Sequence, residues 1–409
     1  MTHRKLIVAS AGAVGMLLGA SAGPARAATV ACSDTSVLPN PIFMGGSSAF
    51  EPILGQLAVQ IQAKQAVSIV YAPIASCVGV SAVSPPADAP TPQPLTGTAD
   101  YYTVDPTDSS KVVINTCNLS GNTMAAIGVS DVSFDSCQGV PTPAGIGEWA
   151  GPQQPMLIIV PKLNVTTTSM SAEQAAAIWG CGSKSGVGNF TNESAIQHRK
   201  SSSGTQILVA RNINVPETQF KGVTNDKGGG LVTSLLAVSD PQTAIGFLAN
   251  DAYATRRSVI NSVAFRGIGQ KKAYYADSDA TADDLRNVRD GHYMIQGPLH
   301  FFSKLGSTNQ PAANAKLVLD WLTGSTPIDT ADPYSYVRIV ATGGDVPQCA
   351  MKVKLDKDGG KFSPYTPPVS CGCAFEKAKN VKWPAGKCTA CSSDSTCTGG
   401  THCQFGYCE

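Results

Sequence analysis

Charge is scarce in this chain of 409 residues. Lys and Arg number 30 against 29 Asp and Glu, a formal net charge of +1, and charged residues make up only 14%. Average soluble proteins carry roughly 25%. A nucleic-acid binder normally presents a basic face, so this balance argues against one. It argues equally against intrinsic disorder, which goes with low hydrophobicity and high net charge. With 43% apolar residues the chain can bury a sizeable core. Histidine is also rare. Beyond His3 there are only His198, His292, His300 and His402, with no HxH or HExxH spacing, so no catalytic metal pair is signalled. No internal repeat occurs, and past the N-terminus no apolar run is long enough to span a bilayer.

Cysteine, by contrast, is abundant. Thirteen in a chain of this size imply an oxidising compartment or several metal sites. The N-terminus points to the first. Arg4-Lys5, an apolar stretch from Leu6 to about Ala22, and the close Ala25-Arg26-Ala27 are the parts of a secretory signal peptide. Residues 1–27 are therefore expected to be removed, with a periplasmic, cell-surface or secreted product. A retained membrane anchor would need about 20 strongly apolar residues, and Gly, Ala and Ser dilute this stretch. Cys32 is a candidate lipid anchor. Thr29-Val30-Ala31 is a poor lipoprotein signal, yet lipidation would leave an even twelve cysteines to pair.

The length suggests two domains, or one discontinuous pair. Ser68–Tyr71, Lys111–Ile114, Met156–Val160 and Val337–Val340 read as buried strands. Glu51–Lys64 has helical spacing, with Pro52 tolerated in the first turn, and Ser171 to Gln174 is a capping-box pattern. Gly228-Gly229-Gly230 reads as a tight loop before a helix at Leu231–Val238. Alternating strands and helices predict an α/β fold with mostly parallel sheets. Residues 84–98 are proline-rich and read as a surface insertion, and 359–370 as a linker. From Cys371 to Glu409 there are seven cysteines and almost no aliphatic side chains. Such a tail must be stapled. A zinc knuckle competes on spacing alone; after export, disulfides are the expected fate.

Three Gly- and Ser-rich stretches sit where a strand should hand over to a helix: Met44–Phe50, Ile74–Val80 and His198–Thr205. Helix starts offer unpaired backbone N–H groups and partial positive charge, and hydroxyls add donors. Converging, they would hold an anion without net positive charge; singly, each is an ordinary serine cap. Ala126–Ser133 adds Asp131 at the carboxyl end of an apolar run, where open α/β sheets bind ligands. An ionised carboxylate accepts hydrogen bonds only. It would therefore favour an oxyanion that keeps a proton, as phosphate does and sulfate does not.

In the order GGSSAF, YAPIASCVGV, AIGVSD, HRKSSSGT and Ala244-Ile245-Gly246-Phe247, these segments resemble the phosphate-binding proteins of bacterial phosphate ABC importers. The resemblance implies the two-lobed type 2 periplasmic-binding-protein fold, closing on its ligand by a hinge. Residues 38–150 and 270–350 would form one lobe and 151–269 the other, with 371–409 an added cysteine-rich module. It implies an inorganic phosphate or similar oxyanion as ligand, an inner-membrane ABC permease as partner, a monomer, and no cofactor, metal or catalytic residue.

By this resemblance Ser48, Ala49 and Phe50 present backbone N–H groups to the ligand, although Ala49 lacks the family's hydroxyl. Ser76 supplies a hydroxyl and Asp131 the proton-reading carboxylate, while Arg199 clamps the oxyanion and pairs with Asp131. Ser203, Gly204 and Thr205 match the family's final donors. Ser201 stands where the family usually has an acidic residue, so one carboxylate is missing. Two other readings remain: a surface or matrix protein that keeps the fold and attaches through its tail, and a secreted phosphatase with Ser203 as nucleophile beside His198.

Overall fold

The computed structural model describes residues 30–86, 89–384, 387–399 and 401–409. The expected signal peptide, residues 1–27, lies outside the described residues. One curled sheet of nine strands organises the chain: β1 (Ile42–Gly46), β2 (Ile69–Ala72), β3 (Thr98–Asp105), β4 (Asp108–Asn118), β5 (Ile127–Ser130), β6 (Ile146–Pro161), β7 (Gly246–Ala249), β8 (Ile260–Ser262) and β9 (Gln296–Lys304). Their order is β7-β6-β9-β5-β1-β2-β3-β4, with β8 also on β6.

Within this sheet only β1–β2 and β1–β5 pair in parallel, so the expected mostly parallel sheet is corrected. A parallel neighbour needs a crossover, which the Glu51–Gln65 helix supplies between β1 and β2. Elsewhere the chain doubles back. Asp105 to Asp108 closes a hairpin between β3 and β4, and β6 runs antiparallel to β9 in its first half and to β7 and β8 in its second. The sixteen residues of β6 thus join β7 and β8 to the rest of the sheet.

Local signals explain most elements. The Glu51–Gln65 helix buries Ile53, Leu54, Leu57 and Ile61, and takes Pro52 in its first turn. Ser171 and Gln174 form the expected reciprocal capping box. Val337–Val340 proves helical, within Ser335–Gly343. Three apolar residues interrupted by Arg338 fit either period, and here Arg338 and Thr342 face outward while Tyr336, Val337, Val340 and Ala341 are buried. Lys111–Ile114 is a strand as expected, but half-exposed at the sheet edge. Gly228-Gly229-Gly230 is no loop; it opens the Gly228–Leu236 helix.

Twelve cysteines pair. Cys32–Cys117 and Cys77–Cys137 staple the body, Cys349–Cys371 ties the tail to it, and Cys373–Cys388, Cys391–Cys403 and Cys397–Cys408 staple the tail. The odd thiol is exposed Cys181. This corrects the lipid-anchor expectation, because a sulfur committed to Cys117 cannot carry a thioether. The Cys391, Cys397 and Cys408 sulfurs cluster, but each lies in a disulfide and offers no thiolate to zinc.

The tail is docked, not loosely tethered. Phe362–Pro364 pairs with Val353–Leu355, and Glu376 of the Gly372–Ala378 helix bonds Arg289, Lys387 and Trp383. Burial pushes the Glu376 carboxyl up, but Lys387 and Arg289 outweigh it and hold it below the usual range. This contribution is complete above the ordinary glutamate pKa and is lost as acid protonates the group. Glu376→Ala would leave the buried Arg289 guanidinium unpaired, so a loss of about 3–5 kcal/mol is expected in chemical denaturation.

Candidate functional site

β5, β1 and β2 lie side by side and in parallel, so their carboxyl ends open on one edge. The chain leaves β1 through Ser47–Phe50, β2 through Ala75-Ser76, and β5 at Asp131. Close backbone approach makes this possible. A Cβ on Gly79 would lie 2.5 Å from the Gly46 Cα and 2.6 Å from the Gly45 carbonyl, so only glycine lets the Ser76–Ser81 helix sit on β1.

From the opposite side comes a two-stranded unit, Gln197–Arg199 beside Val223–Asn225, followed by the Gly204–Ile213 helix. The two sides touch directly. Ser76 Oγ accepts from the Gly204 N–H at 3.0 Å and the Asp131 N–H at 3.3 Å, and the Cys77 N–H donates to the Ser202 carbonyl at 3.3 Å. Thr205 Oγ1 donates to Asp131 Oδ2 at 3.3 Å.

Asp131 is 1% exposed, and its Oδ1 has no partner among the described residues. Burial pushes its carboxyl up; Ser47, Arg199, Ser76 and Thr205 pull down without cancelling that. Arg199 is 5% exposed. Its expected pairing with Asp131 is replaced by backbone contacts: Nε donates to the Asn225 carbonyl at 3.2 Å and Nη2 to the Asp226 carbonyl at 2.7 Å. These contacts fix the guanidinium plane and leave Nη1, which lies toward Gly228. Burial works against the Arg199 charge, while Asp131, Asp251 and Asp226 favour it.

Next to this contact lies a cavity of about 240 Å³. Ser48, Ala49 and Arg199 line it, together with Glu51, Lys227, Gly228, Asp251 and Arg256. Burial, then Asp100, pushes Glu51 up to about 7.

The expected residues therefore divide. Ser76, Asp131, Gly204 and Thr205 meet at the closed contact, with Ser203 buried as the cap position of its helix. Ser48, Ala49 and Arg199 face the cavity. The Phe50 ring is core, edge-on to Phe301 at 5.6 Å. Ser201 is exposed, outside both groups. His198 turns away from Ser203: Nδ1 bonds the Arg199 carbonyl and Gln206, and Nε2 bonds Thr224.

Sequence reasoning missed Ser47, Lys227, Asp251 and Arg256. Ser47 Oγ accepts the Ala49 N–H at 3.1 Å, organising the first loop. Asp251 carried a readable signal, because it follows buried β7 much as Asp131 follows β5.

No family profile matches the chain, and no curated protein matches its sequence. Among solved structures, it resembles a chain from Clostridium perfringens assigned as a phosphate ABC transporter substrate-binding protein, with bound phosphate. The TM-score is 0.50 at 15% identity, over 75% of this chain and 99% of that one. The fold is that of the periplasmic binding proteins. An ABC-type phosphate transport receptor from Vibrio cholerae also matches, at 13% identity and a TM-score of 0.44, over 75% of this chain and 99% of that one. The periplasmic-binding-protein fold here carries a disulfide-bonded C-terminal region. Among the described residues no helix is long and apolar enough to cross a membrane.

Proposed function

We infer that the chain is an exported solute-binding protein that captures inorganic phosphate, or a close oxyanion, between two lobes. It would deliver the ion, chemically unchanged, to an ABC permease of the inner membrane. The lobes are residues 38–150 with 270–350, and 151–269. The observation that carries this reading is a cavity lined by a buried arginine next to a contact where a buried carboxyl and hydroxyls from separate stretches meet. The guanidinium fork matches tetrahedral oxyanions, and backbone and hydroxyl donors complete the shell. The unpartnered oxygen of Asp131 supports its role as acceptor of a P–OH hydrogen.

Calorimetry against phosphate, arsenate, sulfate and molybdate tests the assignment, with phosphate and arsenate expected to bind most tightly. Asp131→Asn is expected to weaken phosphate roughly tenfold and to narrow its preference over sulfate, because the amide can donate to an unprotonated oxygen. Unchanged selectivity would remove Asp131 from the discriminating role.

A further inference from the structure

Ser201 leaves the oxyanion site one carboxylate short of the family it resembles, and another element of the fold offers a replacement. Asp251 lies just past β7, in the first turn of the Asn250–Ala254 helix. Its side chain is 1% exposed and lines the cavity that Ser48, Ala49 and Arg199 line. Neither of its carboxyl oxygens has a partner among the described residues. A buried carboxyl serving the fold alone is normally satisfied, as Asp277 is by the Asp284 and Leu285 N–H groups and by Arg257. Leaving both oxygens of Asp251 bare costs stability unless a ligand supplies hydrogens.

Its charged surroundings come from every side. Arg199 faces the cavity from the Gln197–Arg199 strand, Lys227 from the turn before the Gly228–Leu236 helix, Glu51 from the first helix, and Arg256 from just past Asp251's own helix. Asp131 beyond β5 and the buried, equally unpartnered Asp345 after the Ser335–Gly343 helix both act on it electrostatically. Burial above all, with Asp131 adding to it, pushes the Asp251 carboxyl well above its ordinary range against the pull of the adjacent Ala252 N–H, Arg256 and Arg199.

Resting on the reading of the cleft as an oxyanion site, we propose that Asp251 is its second proton-sharing carboxyl, replacing from a different element the acidic residue absent at Ser201. An anion seated between Ala49 and Arg199 meets Asp251 directly and feels the nearby charge of Asp131. Two carboxylates and a dianion cannot all be ionised in contact, so protons must lie among them. Hydrogen phosphate and hydrogen arsenate bring one. Sulfate brings none, so the carboxyls themselves must hold the protons, which becomes harder as pH rises. The ligand class is therefore a tetrahedral oxyanion that stays protonated at neutral pH.

The test is isothermal titration of the full chain with inorganic phosphate and with sulfate at pH 6 and pH 8. Buffers of two ionisation enthalpies count the protons taken up. In the parent chain, sulfate is expected to take up about one proton more than phosphate does. Asp251→Asn should shrink that difference and lower the phosphate preference at pH 8 roughly tenfold, chiefly by tightening sulfate. Asp251→Ser provides a second variant of smaller volume, and thermal melts verify folding of both. Glu51 titrates in the same interval, so the comparison is between variant and parent at each pH. Equal proton uptake for the two anions in the parent, or an unchanged preference in a folded variant, would overturn the role of Asp251. A parent that binds neither anion would instead overturn the reading of the cleft.

Discussion

Arg199→Ala is expected to bind phosphate at least about a hundredfold more weakly than the parent chain. Hydrogen bonds to charged groups contribute about 1.5–3 kcal/mol each, and this substitution removes the cleft's buried fork. The loss should exceed that at exposed cations, because the Arg199 charge is desolvated and its plane is already fixed by the Asn225 and Asp226 carbonyls. Those same bonds hold the turn leading into the Gly228–Leu236 helix, so part of the effect could come from loosening. Arg199→Lys separates the two. It keeps the charge but not the planar donors, and is expected to recover only a fraction of the affinity. Calorimetry gives the affinity and a thermal melt the stability. Phosphate affinity within about threefold of the parent would place the anion elsewhere in the cleft.

Gly204→Ala should act on the contact between the two sides of the cleft. A Cβ there would stand 2.6 Å from Ser76 Oγ and 2.7 Å from the Asp131 Cβ, distances real methyl groups do not tolerate. Both neighbours lie at the base of the cleft, and Ser76 is itself held by the Asp131 N–H. The strain must push the opposing sides apart or tilt the Gly204–Ile213 helix. Overpacking of this kind costs about 1–3 kcal/mol, corresponding to roughly a tenfold to hundredfold loss of affinity. Small-angle scattering should show the variant more extended than the parent in saturating phosphate. Equal dimensions with full affinity would mean that the closed contact has no part in holding the ligand.

Legibility in the sequence followed the range over which each cause acts. The handovers at Gly46–Glu51, Ala72–Ser76 and Arg199–Gly204 were readable because Gly, Ser and Pro punctuate apolar runs locally. Asp131 was readable for the same reason, as the polar end of a short buried strand. Val337–Val340 was not, because three apolar residues around one arginine fit either period until Arg338 and Thr342 are seen together on the open face. Sheet direction was hidden in β6, whose partners β7, β8 and β9 all lie far along the chain. Cysteine pairing is wholly tertiary; the odd count and the tripeptide before it drew attention to Cys32 as an anchor, whereas the fold brings Cys117 to it. Asp251 was readable in kind but not in place, since which cleft a strand end serves depends on the finished sheet.

With twelve sulfurs locked in pairs, Cys181 is the single thiol open to a maleimide reagent. It ends the Ala172–Cys181 helix, away from the residues that line the cleft. One dye can therefore be installed without mutating the chain or opening any staple. A second cysteine introduced across the cleft would turn that position into one end of a molecular ruler, reporting opening and closing in solution as ligand is added.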